Sequence, residues 1–387
     1  MKVLITTDWY EPVVNGVVRS VLNLKKYLEK LNCEVKVLTL SNEKHSYKEN
    51  NIYYIGSLSA GVIYPDARVS IALKNDLIKE IISWKPDVIH SQCEFSTFFM
   101  ANKISNEINC PLIHTYHTIY EKYTHYFSPS KKLGRRLVKI FTKSIAKRTD
   151  FIIAPSVKTK NILKSYKIKP EKIKVIPTGI EIEDENYEDF GNNKVINLRK
   201  KFSLKENDKI ILYLGRIAKE KNIDEIIDYY LRLDDENIKL VIVGGGPYLK
   251  DLKEKASTID KKIIFTGMVK PKDVFSYYKL ADCFVSASNS ETQGLTYYEA
   301  LSSGIVCICR RDDCLEGIII DDFNGFQYSN FYEFKEYIDT IFKDEKKLDK
   351  MKRNAKEFSK ENFTAKSFAK KVFNLYEKAM ENDTVNI

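Results

Sequence analysis

Glu291 and Glu299 stand eight residues apart in Ser290-Glu291-Thr292-Gln293-Gly294-Leu295-Thr296-Tyr297-Tyr298-Glu299-Ala300, astride the junction between a strand and a helix. Cys283–Ala287 ahead of them is a short apolar run that reads as a buried strand, and Thr296–Ser303 reads as a helix closed by Gly304. Such a turn is an anion site. The backbone amides of Thr292, Gln293, Gly294 and Leu295 point at a phosphate, the helix start favours negative charge, and Gly294 lets the backbone approach closely. Glu291 then lies just before the turn and Glu299 in the first helical turns, so both carboxylates can serve one sugar nucleotide, one on sugar hydroxyls and the other on ribose hydroxyls. The competing reading makes Glu291 a cap and Glu299 a solvated helix residue.

A second group of residues suits the same ligand. Leu212-Tyr213-Leu214 is a short apolar strand followed by Gly215-Arg216 and, five residues on, Lys221-Asn222. This puts two cations near the carboxyl end of a strand, where open α/β sheets bind ligands, and two fixed cations match a diphosphate leaving group. As isolated loop charges they would simply be solvated. Leu240–Val243 runs into Gly244-Gly245-Gly246-Pro247, and Ile263–Val269 is a further apolar run. The triple glycine lacks the G-x-G-x-x-G spacing and the later acidic residue of a dinucleotide loop.

Together these runs resemble glycosyltransferase family 4, the retaining sugar-nucleotide enzymes of GT-B fold, from Asn15-Gly16-Val17 through Gly215-Arg216 and Lys221-Asn222 to the Glu291…Glu299 pair. The resemblance implies two Rossmann-like, doubly wound parallel-sheet α/β domains facing across a cleft. It also implies roles. Gly16 offers its amide to the diphosphate, Arg216 and Lys221 bind the diphosphate oxygens, Glu299 holds the ribose and Glu291 the donor sugar, and the backbone around Met268 and Val269 borders the base.

Length and composition agree. A chain of 387 residues with 43% apolar residues exceeds one ordinary core and supports two. Lys2–Thr7 already reads as a buried strand rather than a signal peptide, and no apolar run is long enough to span a bilayer, so a cytoplasmic protein is expected. Seven cysteines, with Cys307 and Cys309 as C-x-C on a strand pattern and no C-x-x-C, read as core thiols rather than a disulfide framework.

Each half alternates short apolar strands with helical patterns: Val35–Leu40, Val88–His90, Leu112–Thr115 and Phe151–Ala154 in the first, and strands starting near Ile210, Val241 and Ile264 in the second. The polar, acidic stretch from Glu181 to Asn193 reads as a linker. The expected organisation is an N-terminal domain over 1–180, a linker over 181–205, a sugar-nucleotide domain over 206–360 and a C-terminal helix over 361–387. In that helix Phe368, Val372, Leu375 and Ala379 fall at helical spacing, and the family resemblance implies that it crosses back to the N-terminal domain.

Charge is divided unevenly. Residues 1–180 carry 29 Lys and Arg against 15 Asp and Glu, a net of +14, which leaves −4 for the remainder of a chain whose total is +10. Lys131–Arg148 holds eight cations and no acid. On a helical wheel Leu133, Leu137, Val138, Ile140, Phe141 and Ile145 share one face, with Lys132, Arg136, Lys139, Lys143 and Lys147 on the other. This is the pattern of a helix on an anionic membrane surface; the alternative is a helix packed on its own domain with a solvated basic face. Nucleic acid is not expected, since no recognised module or aromatic stacking platform accompanies the charge.

Three of the five histidines lie between His114 and Tyr126 in His114-Thr115-Tyr116-His117-Thr118-Ile119-Tyr120-Glu121-Lys122-Tyr123-Thr124-His125-Tyr126. No Cys or carboxylate completes a metal set, and His114 reads as a core residue. With Glu94-Phe95-Ser96 upstream, this run resembles the bacterial diacylglycerol glucosyl- and galactosyltransferases of family 4, which places His117 against the donor sugar near its 6-hydroxyl.

The resulting expectation is a peripheral enzyme on the inner face of the cell membrane that moves a hexose, glucose from UDP-glucose or another UDP-hexose, onto diacylglycerol or a glycosyl-diacylglycerol. The α-configuration is retained, and neither metal nor cofactor is expected: no D-x-D marks a strand end, and Asp312-Asp313 and Asp321-Asp322 read as loop charges. Three rivals are a family 4 enzyme acting on a cell-wall or polysaccharide acceptor, a non-transferring GT-B sugar-nucleotide epimerase, and an inactive scaffold that binds membrane or nucleic acid.

Overall fold

The computed structural model describes all residues except 62–66, 122–123, 125–127, 129, 182–187, 258–262 and 385–387. His125 and the acidic core of the expected linker therefore lie outside the described residues. The chain divides into two compact units, Met1–Glu181 with Ala365–Ile387, and Ile182–Thr364.

The first unit contains β1 (Lys2–Thr6), β2 (Glu34–Leu40), β3 (Tyr47–Glu49), β4 (Ile52–Ile55), the short β5 (Leu58–Ser59) and β6 (Arg68–Val69), β7 (Val88–Ser91), β8 (Leu112–Thr115), β9 (Phe151–Ala154) and β10 (Ile173–Val175). Eight of these form one sheet in the order β10-β9-β8-β7-β1-β2-β4-β3, parallel except for the β3–β4 pair, while β5 and β6 make a separate ribbon. Its central strands are apolar on both faces because both faces are covered. Val3 and Ile5 point into one core with Val35 and Val37, and Leu4 points into the other with Leu38, Ile89 and Phe98. The helix Ala365–Thr384 closes the first of these cores with Phe368, Val372, Leu375 and Ala379, and its Tyr376 hydroxyl lies 2.6 Å from buried His90 Nδ1.

The second unit contains β11 (Lys209–Leu214), β12 (Ile238–Val243), β13 (Ile263–Gly267), β14 (Cys283–Ser286), β15 (Val306–Arg310) and β16 (Gly325–Tyr328). They pair in parallel in the order β13-β12-β11-β14-β15-β16. The order reverses between β11 and β14, and the crevice beyond the carboxyl ends of those two strands is where such sheets take ligands.

Part of the expected linker is a helix, Glu188–Lys201. Ile196 is exposed, while Lys194 pairs with Asp273 at 2.9 Å, Arg199 donates to the Asp208 carbonyl at 3.2 Å, and Phe202, just past the helix end, is tilted against Tyr277. All seven cysteines are thiols, six of them buried. No helix among the described residues is long and apolar enough to cross a membrane.

Candidate active site

The two loops that leave β11 and β14 meet at the point where the strand order reverses. After β11, Gly215 N–H still donates to Val243 at 3.0 Å, and buried Tyr213 donates its hydroxyl to the Arg216 carbonyl at 3.0 Å. A single 3-10 turn, Lys219–Lys221, follows. Its Glu220 carboxylate pairs with Arg216, its Glu220 carbonyl accepts from Ser290 Oγ at 3.0 Å, and its Lys221 pairs with Glu291. Residues 220–221 thus clasp residues 290–291. Asn222 turns the chain with φ 53° and starts the helix Ile223–Leu231, where its amide group donates to Glu225 at 2.9 Å.

The triple glycine after β12 has a structural origin. A Cβ on Gly244, at φ 140°, would lie 1.9 Å from the Gly215 carbonyl oxygen, and one on Gly246 would lie 2.2 Å from that of Ile217. The glycines let this turn rest directly on the backbone that carries Arg216. At the edge of the sheet Met268 is 83% exposed and Val269 half-buried, just past β13.

The helix after β14 is Leu295–Ser302, one residue earlier than the sequence pattern indicated, and Gly294 caps it at φ 76° without a side-chain cap. Gly294 brings no capping side chain of its own, and a helix start is where backbone amides can accept an anion. The far end is a Schellman closure, with Gly304 N–H donating to Leu301 and Ile305 N–H to Ala300. Gln293 is buried and faces Tyr298, whereas Thr292 and Thr296 are half-buried. Glu299 Oε2 accepts from the Tyr278 hydroxyl at 3.1 Å, a partner that no sequence motif signalled.

The loop charges have structural duties. Asp312 accepts from Cys314 N–H, Asp321 from Gln327 N–H, and Asp322 pairs with Lys347 at 2.5 Å. Among the described residues no group of three or more His, Cys, Asp or Glu is arranged to hold a metal ion.

In the first unit the order reverses between β1 and β7, and polar residues gather beyond those strands. His117 Nε2 lies 2.7 Å from Gln92 Oε1, and Tyr120 donates to Glu94 Oε2 at 2.6 Å. Burial, with His114 adding, pushes the His117 imidazole down to about 3, so it is neutral. His114 is fully buried, edge-on to Phe98 and 3.5 Å from Glu94. Asp8 accepts from Thr97 N–H at 2.9 Å, and burial raises its carboxyl to about 6. Asp8 and Gln92 belong to no recognisable motif; the signal they carry in the sequence is their place within two residues of the ends of β1 and β7. Gly16 opens the helix Gly16–Lys30, which Asn15 caps at Val18 N–H.

The basic helix spans Lys131–Lys147, and its apolar residues do not form a single face. Gly134, Val138, Thr142, Ile145 and Ala146 are buried against the unit. Leu133, Leu137 and Ile140 are 50%, 47% and 56% exposed, beside exposed Lys132, Arg136 and Lys147 and half-buried Lys139 and Lys143. Phe141 belongs with neither set: it stacks on Phe95 at 5.7 Å and packs on the core. The wheel assigned one apolar face where packing makes a buried stripe and an exposed one.

Residues 14–184 match the model of Glycosyltransferase Family 4, and residues 195–358 match that of Glycosyl transferases group 1. The chain is 36% identical over 333 residues to the alpha-monoglucosyldiacylglycerol synthase of Streptococcus pneumoniae, covering 85% of this chain and 75% of that protein. It is 30% identical over 355 residues to the alpha-monoglucosyldiacylglycerol synthase of Acholeplasma laidlawii, covering 87% of each. Among solved structures it resembles Anabaena Alr3699/HepE in complex with UDP and glucose, with a TM-score of 0.75 at 15% identity over 98% of this chain and 100% of that one. Sucrose-phosphate synthase from Thermosynechococcus elongatus gives a TM-score of 0.73 at 16% identity over 98% and 99%. The chain belongs to glycosyltransferase family 4 and has the GT-B fold; it is a glycosyltransferase.

Proposed function

We propose that this enzyme transfers glucose from UDP-glucose to diacylglycerol, with retention and without a metal ion, at the cytoplasmic face of the membrane. The observation that carries the reading is the 36% and 30% identity, over most of the chain, to two alpha-monoglucosyldiacylglycerol synthases. An α-glucoside formed from the α-linked donor is retention.

The clasp beyond β11 and β14 supports the donor half. Arg216 and Lys221 hold the diphosphate with the amides of Thr292, Gln293, Gly294 and Leu295. Fixed donors of this kind stabilise the charge that grows on the departing diphosphate, roughly 3 kcal/mol for each well-placed one. The leaving phosphate then accepts the proton of the acceptor hydroxyl as that oxygen attacks on the same face. Glu299 and Thr296 serve the ribose side, Met268 and Val269 the base, Glu291 the sugar hydroxyls. His117, neutral, is suited to act as a hydrogen-bonding group rather than a cation.

The exposed stripe Leu133, Leu137 and Ile140 beside Lys132, Arg136, Lys139, Lys143 and Lys147 supports the acceptor half, because it fits an apolar insertion flanked by attraction to anionic headgroups. The test is incubation of the purified protein with UDP-glucose, UDP-galactose and GDP-mannose against a panel of diacylglycerol, monoglucosyldiacylglycerol and a soluble sugar, followed by product separation. α-Glucosyldiacylglycerol is the expected product. Transfer only to the soluble sugar, or no transfer from UDP-glucose, overturns the proposal.

A further inference from the structure

We propose that Tyr278 is a positioning residue for Glu299, and that through this contact the enzyme distinguishes a ribonucleotide from its 2′-deoxy counterpart. The inference rests on the reading of Glu299 as the ribose-binding carboxylate.

Tyr278 lies on the helix Val274–Leu280 and is fully buried, with its ring tilted against Phe284 of β14 at 6.2 Å. Its hydroxyl reaches a different element. The single phenolic proton is shared between Glu299 Oε2 at 3.1 Å and the Thr296 carbonyl at 3.3 Å, both on the helix Leu295–Ser302. One donor therefore holds the carboxylate against the first turn of the helix that opens at the anion site. The backbone of Glu299 is fixed as well: its carbonyl accepts from Ser303 N–H at 3.0 Å, Ser302 Oγ at 2.9 Å and Ser303 Oγ at 2.8 Å.

A glutamate on a helix surface samples several rotamers, and ordering it on ligand binding costs affinity. Here a buried, rigid tyrosine makes a hydrogen bond to a charged oxygen, which is the stronger kind and restricts the rotamer before any ligand arrives. A preset carboxylate rewards each hydroxyl it can accept from, so a 2′-deoxy ligand, which keeps only its 3′-hydroxyl, gains less from it than a ribonucleotide. Burial of the ring alone would need only phenylalanine; the hydroxyl aimed at Glu299 is what packing leaves unexplained.

The experiment measures UDP and 2′-deoxy-UDP binding by calorimetry to the whole protein and to Tyr278→Phe and Glu299→Gln. The wild type is expected to prefer UDP about tenfold or more, and Glu299→Gln to lose that preference. Tyr278→Phe should weaken UDP by about three- to tenfold while leaving 2′-deoxy-UDP within about twofold, and should raise the donor KM with kcat little changed. The ratio of the two ligands is read within each variant, so a reduced folded fraction cancels. If Tyr278→Phe keeps the full preference while Glu299→Gln loses it, Tyr278 is only a packing residue and the ribose reading stands. If Glu299→Gln keeps the preference, the ribose reading fails and the role of Tyr278 fails with it.

Discussion

Lys221 and Glu291, 70 residues apart in the chain, form an ion pair that joins the loop leaving β11 to the loop leaving β14. Both side chains are mostly buried, so the pair is shielded from solvent more than a surface bridge. It links the proposed diphosphate cation to the proposed sugar carboxylate, and a change at either one alters the setting of the other.

Lys221→Ala removes the proposed diphosphate cation and the ion-pair partner of Glu291. Turnover should fall by about 10²-fold or more with the circular dichroism spectrum unchanged. Near wild-type turnover would take Lys221 out of the site. If Arg216 and Lys221 neutralise the diphosphate as proposed, activity should also survive EDTA; loss in chelator that Mg²⁺ or Mn²⁺ restores would contradict the metal-free reading.

Glu291→Gln keeps the shape of the side chain and removes the charge that holds Lys221. It should lower kcat and relax the choice between UDP-glucose and UDP-galactose, with UDP affinity changed by less than about threefold. An unchanged sugar preference in competition assays would remove Glu291 from the sugar subsite.

Two glycines test the backbone packing behind Arg216. In Gly244→Ala the new Cβ would lie 1.9 Å from the Gly215 carbonyl oxygen at φ 140°, so backbone must move and roughly 3 kcal/mol or more of stability should be lost. Gly267 has φ 74° but no atom within 4 Å of such a Cβ, so Gly267→Ala should cost only the backbone strain, about 1 kcal/mol. Chemical denaturation of both variants checks the order; equal losses would show that the close approach at Gly244 is unimportant.

Asp8 sets a pH dependence of stability. Its folded carboxyl titrates at about 6 against an ordinary 3.8, chiefly through burial. Between those values the folded state holds more protons than the unfolded one, so stability falls as pH rises through this window, by about 3 kcal/mol in all. Below about pH 4 the penalty is absent. Asp8→Asn, which keeps an oxygen for Thr97 N–H, should be more stable than wild type at pH 7.5 and should lose that advantage near pH 4. Identical denaturation curves for the two proteins at pH 7.5 would contradict the raised value.

The membrane reading separates charge from insertion. Changing Arg136, Lys139, Lys143 and Lys147 to Glu should abolish sedimentation with anionic vesicles and spare UDP binding, and salt should weaken the wild-type attachment. Leu133→Ser with Leu137→Ser and Ile140→Ser should also weaken it, whereas Phe141→Ser should instead destabilise the unit, since Phe141 packs inward on Phe95. Wild-type vesicle binding by the charge-reversed protein would make this helix a packing element only.

The alternation of apolar strands and helices and the strand-to-helix turn around Gly294 are legible in the linear chain, because each is a local pattern whose period and turn chemistry lie within about a dozen residues. The buried stripe Phe368, Val372, Leu375 and Ala379 was legible for the same reason. What the tertiary structure alone decided is partnership. β11 and β14 are equally apolar, and nothing in either marks the other as its neighbour, yet that pairing is what sets Glu220 and Lys221 against Ser290 and Glu291. Tyr278 gives no local sign of reaching Glu299 across two helices, and Gln92 none of meeting His117. Periodicity locates an apolar face but not how much of it a neighbour covers, so Val138 is buried, Leu137 beside it faces outward and Phe141 turns to Phe95. Glu188–Lys201 carries few apolar residues, so its helical period does not stand out in the chain. Contacts between distant segments depend on which surfaces the sheet order brings together, and that order is a property of the whole unit rather than of any window along the chain.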